Sequence, residues 1–182
     1  MPNWCDNNLR VIGAKTTVRK FMRAASDRKS NWREDKIISF HKLYPVPEDI
    51  QSVPDIWTTE GLELWVKKEE ANEEYRKFMR LPLRFPNGVP KIKSYDWKSQ
   101  NWGCTRQPTN VGVSYSLLRG DKFVAEYHFD TAWSPPLSLL DNVAKSFKTL
   151  QFSLKYVGEC NEFRGVVVWK NGEVFKEVEK TI

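Results

Sequence analysis

No run of about 18 consecutive apolar residues occurs in this chain of 182 residues, so no membrane-spanning helix is expected. Cysteine is scarce. Cys5, Cys104 and Cys160 are odd in number and widely spaced, which excludes a disulfide framework and a CxxC metal motif. Free thiols suit a reducing, cytoplasmic setting. Histidine is scarcer still: neither His41 nor His128 has a second His or Cys at ligand spacing, so a zinc site is not expected. The chain has no Gly-rich phosphate loop and no GxGxxG fingerprint, and no local pairing of cysteine with histidine suggests a nucleophile. No cofactor and no catalytic residue are therefore expected. The opening residues are polar and resemble neither a secretory signal nor a transit peptide.

The composition is otherwise that of a globular protein, with 40% hydrophobic and 29% charged residues. Tryptophan is unusually frequent at eight copies. Most of these rings are expected in the core or at its edge, because Trp combines a large apolar area with one N–H donor. The net charge of +6 is uneven. Up to Lys42 there are ten basic residues and four acids, so the whole excess lies in that segment. Such a segment can meet nucleic acid, a nucleotide or an acidic protein, or it can be a solvated helix face.

Along the chain, Asn8 to Ile12 reads as a strand closed by Gly13, followed by a helix capped by Thr16 or Thr17. Val18, Phe21, Met22 and Ala25 share one face of that helix, and Arg19, Lys20 and Arg23 lie outside it. Ile37 to Phe40 reads as a second extended piece. Residues from about 45 to 108 look like a partly helical insertion, with a charged helix from about Thr58 to Arg80, a turn region at Leu81 to Gly88, and a short helix from Tyr95 ended by Gly103. Asn110 to Leu118 and Lys122 to Phe129 form a hairpin turning at Arg119-Gly120-Asp121. Ser134 caps a helix whose buried face is Leu137, Leu140, Val143, Ala144 and Phe147. Gln151 to Val157, Phe163 to Trp169 and Glu173 to Val178 are strands, the last two joined by a tight Asn171-Gly172 turn. The expected architecture is α+β: a ferredoxin-like antiparallel sheet with helices on one face, a single domain over 1–182 interrupted at about 45–108.

Three motifs stand out: Met1-Pro2-Asn3-Trp4-Cys5-Asp6-Asn7, then Asp96-Trp97 with Asn101-Trp102-Gly103, then Asp130-Thr131-Ala132-Trp133-Ser134-Pro135-Pro136. In this order they resemble the YubB-type ferredoxin-like domain family of phages and plasmids, over most of the chain. The resemblance implies a ferredoxin-like fold and a mobile-element origin, and it brings no catalytic residue. One departure is notable. The family pattern continues after Asn-Trp-Gly with Thr-Lys-Trp-Asp, where this chain has Cys104-Thr105-Arg106-Gln107. Arg106 keeps a positive charge, now on a planar fork suited to phosphate or carboxylate.

Two functional expectations follow. The first is a non-enzymatic accessory protein that binds a host protein and inhibits host machinery or immunity, using Arg19, Lys20 and Arg23 on the basic helix as a contact surface. The second is a nucleotide or nucleic-acid binder in which Trp102, Trp133 and Arg106 supply stacking and phosphate contacts. RNA-recognition sheets carry stacking aromatics on their central strands. The nearest stretch here, Arg164-Gly165-Val166-Val167-Val168-Trp169, lacks the first of them. The Asn-Trp pairs themselves are read first as structural, with the rings filling one end of the sheet and the Asn side chains holding loops.

Overall fold

The computed structural model describes residues 3–27, 37–51, 94–118 and 122–181. The chain divides into two compact units, Met1–Pro45 with Ser99–Ile182, and Val46–Lys98. The second unit lies within the stretch expected as an insertion. Its described parts are a short helix α3 (Glu48–Gln51) and the first half of α4 (Ser94–Trp102), on which Trp97 is buried. The charged helix, the turn at Leu81 to Gly88 and the Arg119-Gly120-Asp121 turn lie outside the described residues.

The larger unit is a six-stranded antiparallel sheet in the order β2-β3-β1-β4-β5-β6. The strands are β1 (Trp4–Ala14), β2 (Thr109–Leu117), β3 (Lys122–Ala132), β4 (Gln151–Gly158), β5 (Phe163–Lys170) and β6 (Glu173–Thr181). Helix α1 (Lys15–Ala25) follows β1, α2 (Phe40–Leu43) is a single turn, and α5 (Leu137–Ser146) joins β3 to β4. The first four strands with α1 and α5 follow the β-α-β-β-α-β path of a ferredoxin-like fold, and β5 and β6 extend it by a hairpin.

Period-two alternation decides which side of each strand is covered. On β1, Cys5, Asn7, Leu9 and Val11 are buried, and Asp6, Asn8 and Arg10 face the other way. On β3, Ala125, Tyr127, Phe129 and Thr131 continue the buried side. Phe21 of α1 meets this surface edge-on, with its ring centroid 6.0 Å from Tyr127 and 5.5 Å from both Phe147 and Phe152. Asp141 of α5 accepts a 2.6 Å hydrogen bond from the buried Trp169 Nε1, so both helices cover one face. The opposite face has no helix on it among the described residues of this unit.

Several local expectations need correction. Ile37 to Phe40 is not a strand: Ser39 caps the α2 turn by accepting from Lys42 N at 3.4 Å, and Phe40 is drawn into the core 5.8 Å from Trp102 and 5.9 Å from Phe129. The second strand of the fold is instead Thr109–Leu117, so the path from α1 to it runs through the whole of 26–108. Neither Thr16 nor Thr17 caps α1, whose cap position is Ala14 and carries no side-chain bond. Helix α5 starts after the two prolines, so its buried set is Leu139, Leu140, Val143 and Ala144, and Leu137 sits only half-buried. Asn171 and Gly172 take φ of 57° and 86°, as a tight primed turn between β5 and β6 requires.

Candidate functional site

The motif residues described in the larger unit converge at one end of its sheet. Trp4 pairs with Ala132 and Asp6 with Asp130 across β1 and β3. Between them, Asn7 points into the helix-covered side and is fully buried. Its Nδ2 donates to Cys5 O at 2.8 Å, to Thr131 Oγ1 at 2.9 Å and to Phe129 O at 3.3 Å. Thr131 Oγ1 passes the chain on by donating to Ser134 O at 2.8 Å, and Ser134 Oγ donates to Gly103 O. Ser134 therefore ties two loops together instead of capping α5, whose cap position is Pro136. Gly103 is required twice over. Its φ is +82°, and a Cβ there would lie 2.9 Å from Pro135 O and 3.1 Å from Leu137 N.

This network accounts for most of the motif residues as a pedestal. Buried polar groups are costly unless partnered, and Asn7 and Thr131 are partnered through every donor the geometry allows. Trp102 belongs to the same foundation. Its ring is 1% exposed and its Nε1 donates to Tyr44 O at 2.8 Å. The stacking surface expected of Trp102 is therefore absent, because core packing against Phe40 takes the ring's place in solvent.

What the pedestal carries is exposed. Trp133 is 52% and Trp4 37% accessible. Trp133 has φ of +74°, a left-handed conformation that bulky residues rarely adopt. Its N–H donates to Asn3 O at 2.8 Å, which stitches it to the strand that bears Trp4. Trp4 N in turn donates to Glu159 Oε2 at 2.9 Å. Asp6, two residues from Trp4 on β1, pairs with Asp130 on β3, and Asn110 Nδ2 donates to Asp130 Oδ2 at 2.6 Å. This end of the sheet thus carries two exposed indoles and, on the same strands, the carboxylates of Asp6 and Asp130.

Arg106 is exposed at the same end of the unit, three residues past Gly103, with its carbonyl accepting from Cys104 Sγ at 3.6 Å. Arg19, Lys20 and Arg23 are all exposed on the outer side of α1 and form a separate surface. The structure brings together Trp133 and the loop that carries Arg106, and it leaves the α1 cations apart. Sequence reasoning missed Trp4 and Asp6 as rim residues and Asn7 as the network's centre. A signal for Asn7 was present: in Cys5-Asp6-Asn7-Asn8-Leu9-Arg10-Val11 it occupies the apolar phase of the alternation, where an amide must find partners.

Chemically, the described residues offer recognition groups. Burial pushes the thiols of Cys5 and Cys104 up to about 12, so both are neutral and poorly nucleophilic at physiological pH. Burial, reinforced by its bond to Glu179 Oε2 at 2.9 Å, also raises the phenol of Tyr156. Among the described residues no group of three or more His, Cys, Asp or Glu side chains is placed to hold a metal ion. No described helix is long and apolar enough to cross a membrane.

A family model described as the ferredoxin-like domain in Api92-like protein matches residues 118–181, from the start of the β2–β3 connection through β6. The crystal structure of a protein api92 from Yersinia pseudotuberculosis is similar to the whole chain, with a TM-score of 0.53 at 12% identity, covering 100% of this chain and 99% of that one. At that identity the likeness is one of fold. No curated protein matches the chain.

Proposed function

We propose that this chain is a non-enzymatic accessory protein of a phage or plasmid, of the YubB type that its motifs resemble, and that it binds a host protein through the Trp4–Trp133 rim. One observation carries the reading: Trp133 is half-exposed in a left-handed backbone conformation, with its own N–H bonded to Asn3 O and the residues on either side held by the Thr131–Ser134–Gly103 hydrogen bonds. Exposed aromatic anchors on a rigid base are the usual centres of binding energy in protein interfaces. Strain of this kind is found where recognition depends on it. The carboxylates of Asp6, Asp130 and Glu159 at this end of the sheet favour a partner surface with basic groups and work against phosphate. Burial of Trp102 also removes one of the two stacking faces that the nucleotide reading relies on.

The test is capture from host lysate with tagged wild type and with the Trp4→Ser/Trp133→Ser double variant, both after nuclease treatment. The wild type is expected to retain a protein in near-stoichiometric amount, and the double variant to lose it. Equal retention by both would move the interface elsewhere. A parallel variant with Arg19, Lys20 and Arg23 changed to Glu reports whether the α1 surface contributes. A parallel capture without nuclease that retains nucleic acid, with no protein retained in either arm, would overturn the protein-binding reading.

A further inference from the structure

The sheet face opposite the described helices α1 and α5 has a charge pattern that is complementary to itself. Strand register aligns one row of side chains across five strands: Asp130 on β3, Asp6 on β1, Val157 on β4, Arg164 on β5 and Lys180 on β6. Four residues along β1 lies a second row, Glu126, Arg10, Ser153, Val168 and Lys176. Between them, the row through Asn8 ends in the apolar pair Val166 and Val178. All these residues alternate with neighbours that face the helices, so they share the open side. The β3–β1 half is acidic at its rim, and the β5–β6 half carries only cations and valines in these rows.

Within one chain the arrangement is unfavourable. Asp6 stands directly opposite Asp130, and Arg164 directly opposite Lys180, and like charges so placed weaken a sheet. The ion pairs among the described residues are Arg10 with Glu126 at 2.7 Å and Lys42 with Asp27 at 3.7 Å, so Asp6, Arg164 and Lys180 are in no ion pair with another described residue.

The geometry points to a second copy of this chain as the occupant of this face, related by a two-fold axis running along β4. Two charged strands flank β4 on either side. Rotation about it lays β5 of the second copy over β1 and β6 over β3. Arg164 of the second copy then faces Asp6, Lys180 faces Asp130 and Lys176 faces Glu126, and symmetry repeats each pair. Sheets stacked face to face lie about 10 Å apart, a gap that Arg and Lys side chains span to a carboxylate. Val157 meets its own copy near the axis, and Val166 and Val168 cover the paired strands. Lys155 meets its own copy on the axis, an unfavourable contact. Five strands about 4.8 Å apart and some six residues at about 3.3 Å each give a footprint of roughly 500 Å² per copy, the scale of a weak, reversible dimer.

Other occupants fit less of the face. An acidic protein would match the β5–β6 half and be repelled by Asp6 and Asp130. Single-stranded nucleic acid would meet the same carboxylates, and would find valines where stacking requires aromatic rings.

The experiment is sedimentation velocity on the full chain over a concentration series. The wild type is expected to show a monomer–dimer equilibrium. Asp6→Lys and Arg164→Glu, both at exposed positions, should each weaken it by at least about tenfold, since like-charge contacts across an interface are strongly unfavourable. Mixing these two variants should restore association, because Lys at position 6 then faces Glu at position 164. Lys155→Ala should tighten the dimer by removing the like pair on the axis. A wild type that stays monomeric throughout, or a dimer indifferent to both reversals, overturns the proposal. So does a monomer that binds a single-stranded oligonucleotide more weakly after Lys155→Ala, which would assign the cations to nucleic acid.

Discussion

The two faces of one sheet treat polarity in opposite ways. On the covered face, the polar side chains Asn7 and Thr131 sit among apolar neighbours and are hydrogen-bonded throughout. On the opposite face, like charges stand across from one another, Asp6 against Asp130 and Arg164 against Lys180, and Asp6, Arg164 and Lys180 have no ion pair among the described residues. The covered face has been settled by folding: each group there has found its counterpart, because low dielectric makes an orphan expensive. That face is tolerable in water, where screening keeps such pairs cheap, and in the proposed dimer its counterparts come from the second copy. Substitution on the two faces should therefore differ in size and in sign.

The largest effect belongs to Trp102 on the covered side. Trp102→Ala should lose about 3–5 kcal/mol through the cavity beside Phe40, and it also leaves Tyr44 O without its donor. Chemical denaturation followed by circular dichroism measures this. A loss below about 1 kcal/mol would mean that the ring is not a core element. Asn7→Ala is next, at about 2–3 kcal/mol. It strips Thr131 Oγ1, Cys5 O and Phe129 O of the same donor. Thermal unfolding should register this loss, and the Trp133 loop should gain amide exchange because its link through Thr131 to Ser134 loosens.

Trp133 sharpens the contrast, since it belongs to neither regime. Its backbone conformation costs a bulky residue about 1–2 kcal/mol relative to glycine, and half of its ring lies in solvent. Trp133→Gly should therefore unfold no more easily than the wild type and gain up to about 1 kcal/mol, while losing the partner of the proposed rim. Stability retained with binding lost is the combination to look for. Stability lost with binding retained would make Trp133 a packing residue.

Much of this arrangement was legible in the chain. The apolar spacing of Val18, Phe21 and Ala25 identified the buried face of α1, alternation identified β3, and Asn171-Gly172 marked the last hairpin. Ile37 to Phe40 misled because a short apolar run has no period of its own, and Phe40 is placed by Trp102 and Phe129, which are distant in sequence. Helix α5 was read one step early because two prolines in succession delay the first helical hydrogen bond. Strand β6 was cut short since all nine of its residues are exposed, leaving no apolar alternation past Val178. Of the site, the motifs gave the neighbourhood, and register gave the roles. Nothing local says that Trp102 turns inward while Trp133 turns outward, as that depends on Gly103 packing under Pro135 and Leu137.

The smallest expected effect is also the most direct comparison, because Asp6 is the immediate neighbour of Asn7 on β1 and points the other way. Asp6→Asn removes one of two opposed carboxylates while keeping shape and hydrogen-bonding capacity. At protein concentrations low enough to exclude self-association it should gain a few tenths of a kcal/mol, roughly the size of a cross-strand charge pair. That gain should shrink as salt rises and the Debye length falls toward about 3 Å at 1 M. At high protein concentration the same variant should lose dimer, since the group that repels Asp130 within the chain is the one that faces Arg164 of the second copy. Opposite signs in the two concentration regimes would tie the internal repulsion to assembly. A uniform gain at all concentrations would leave Asp6 as an ordinary surface carboxylate.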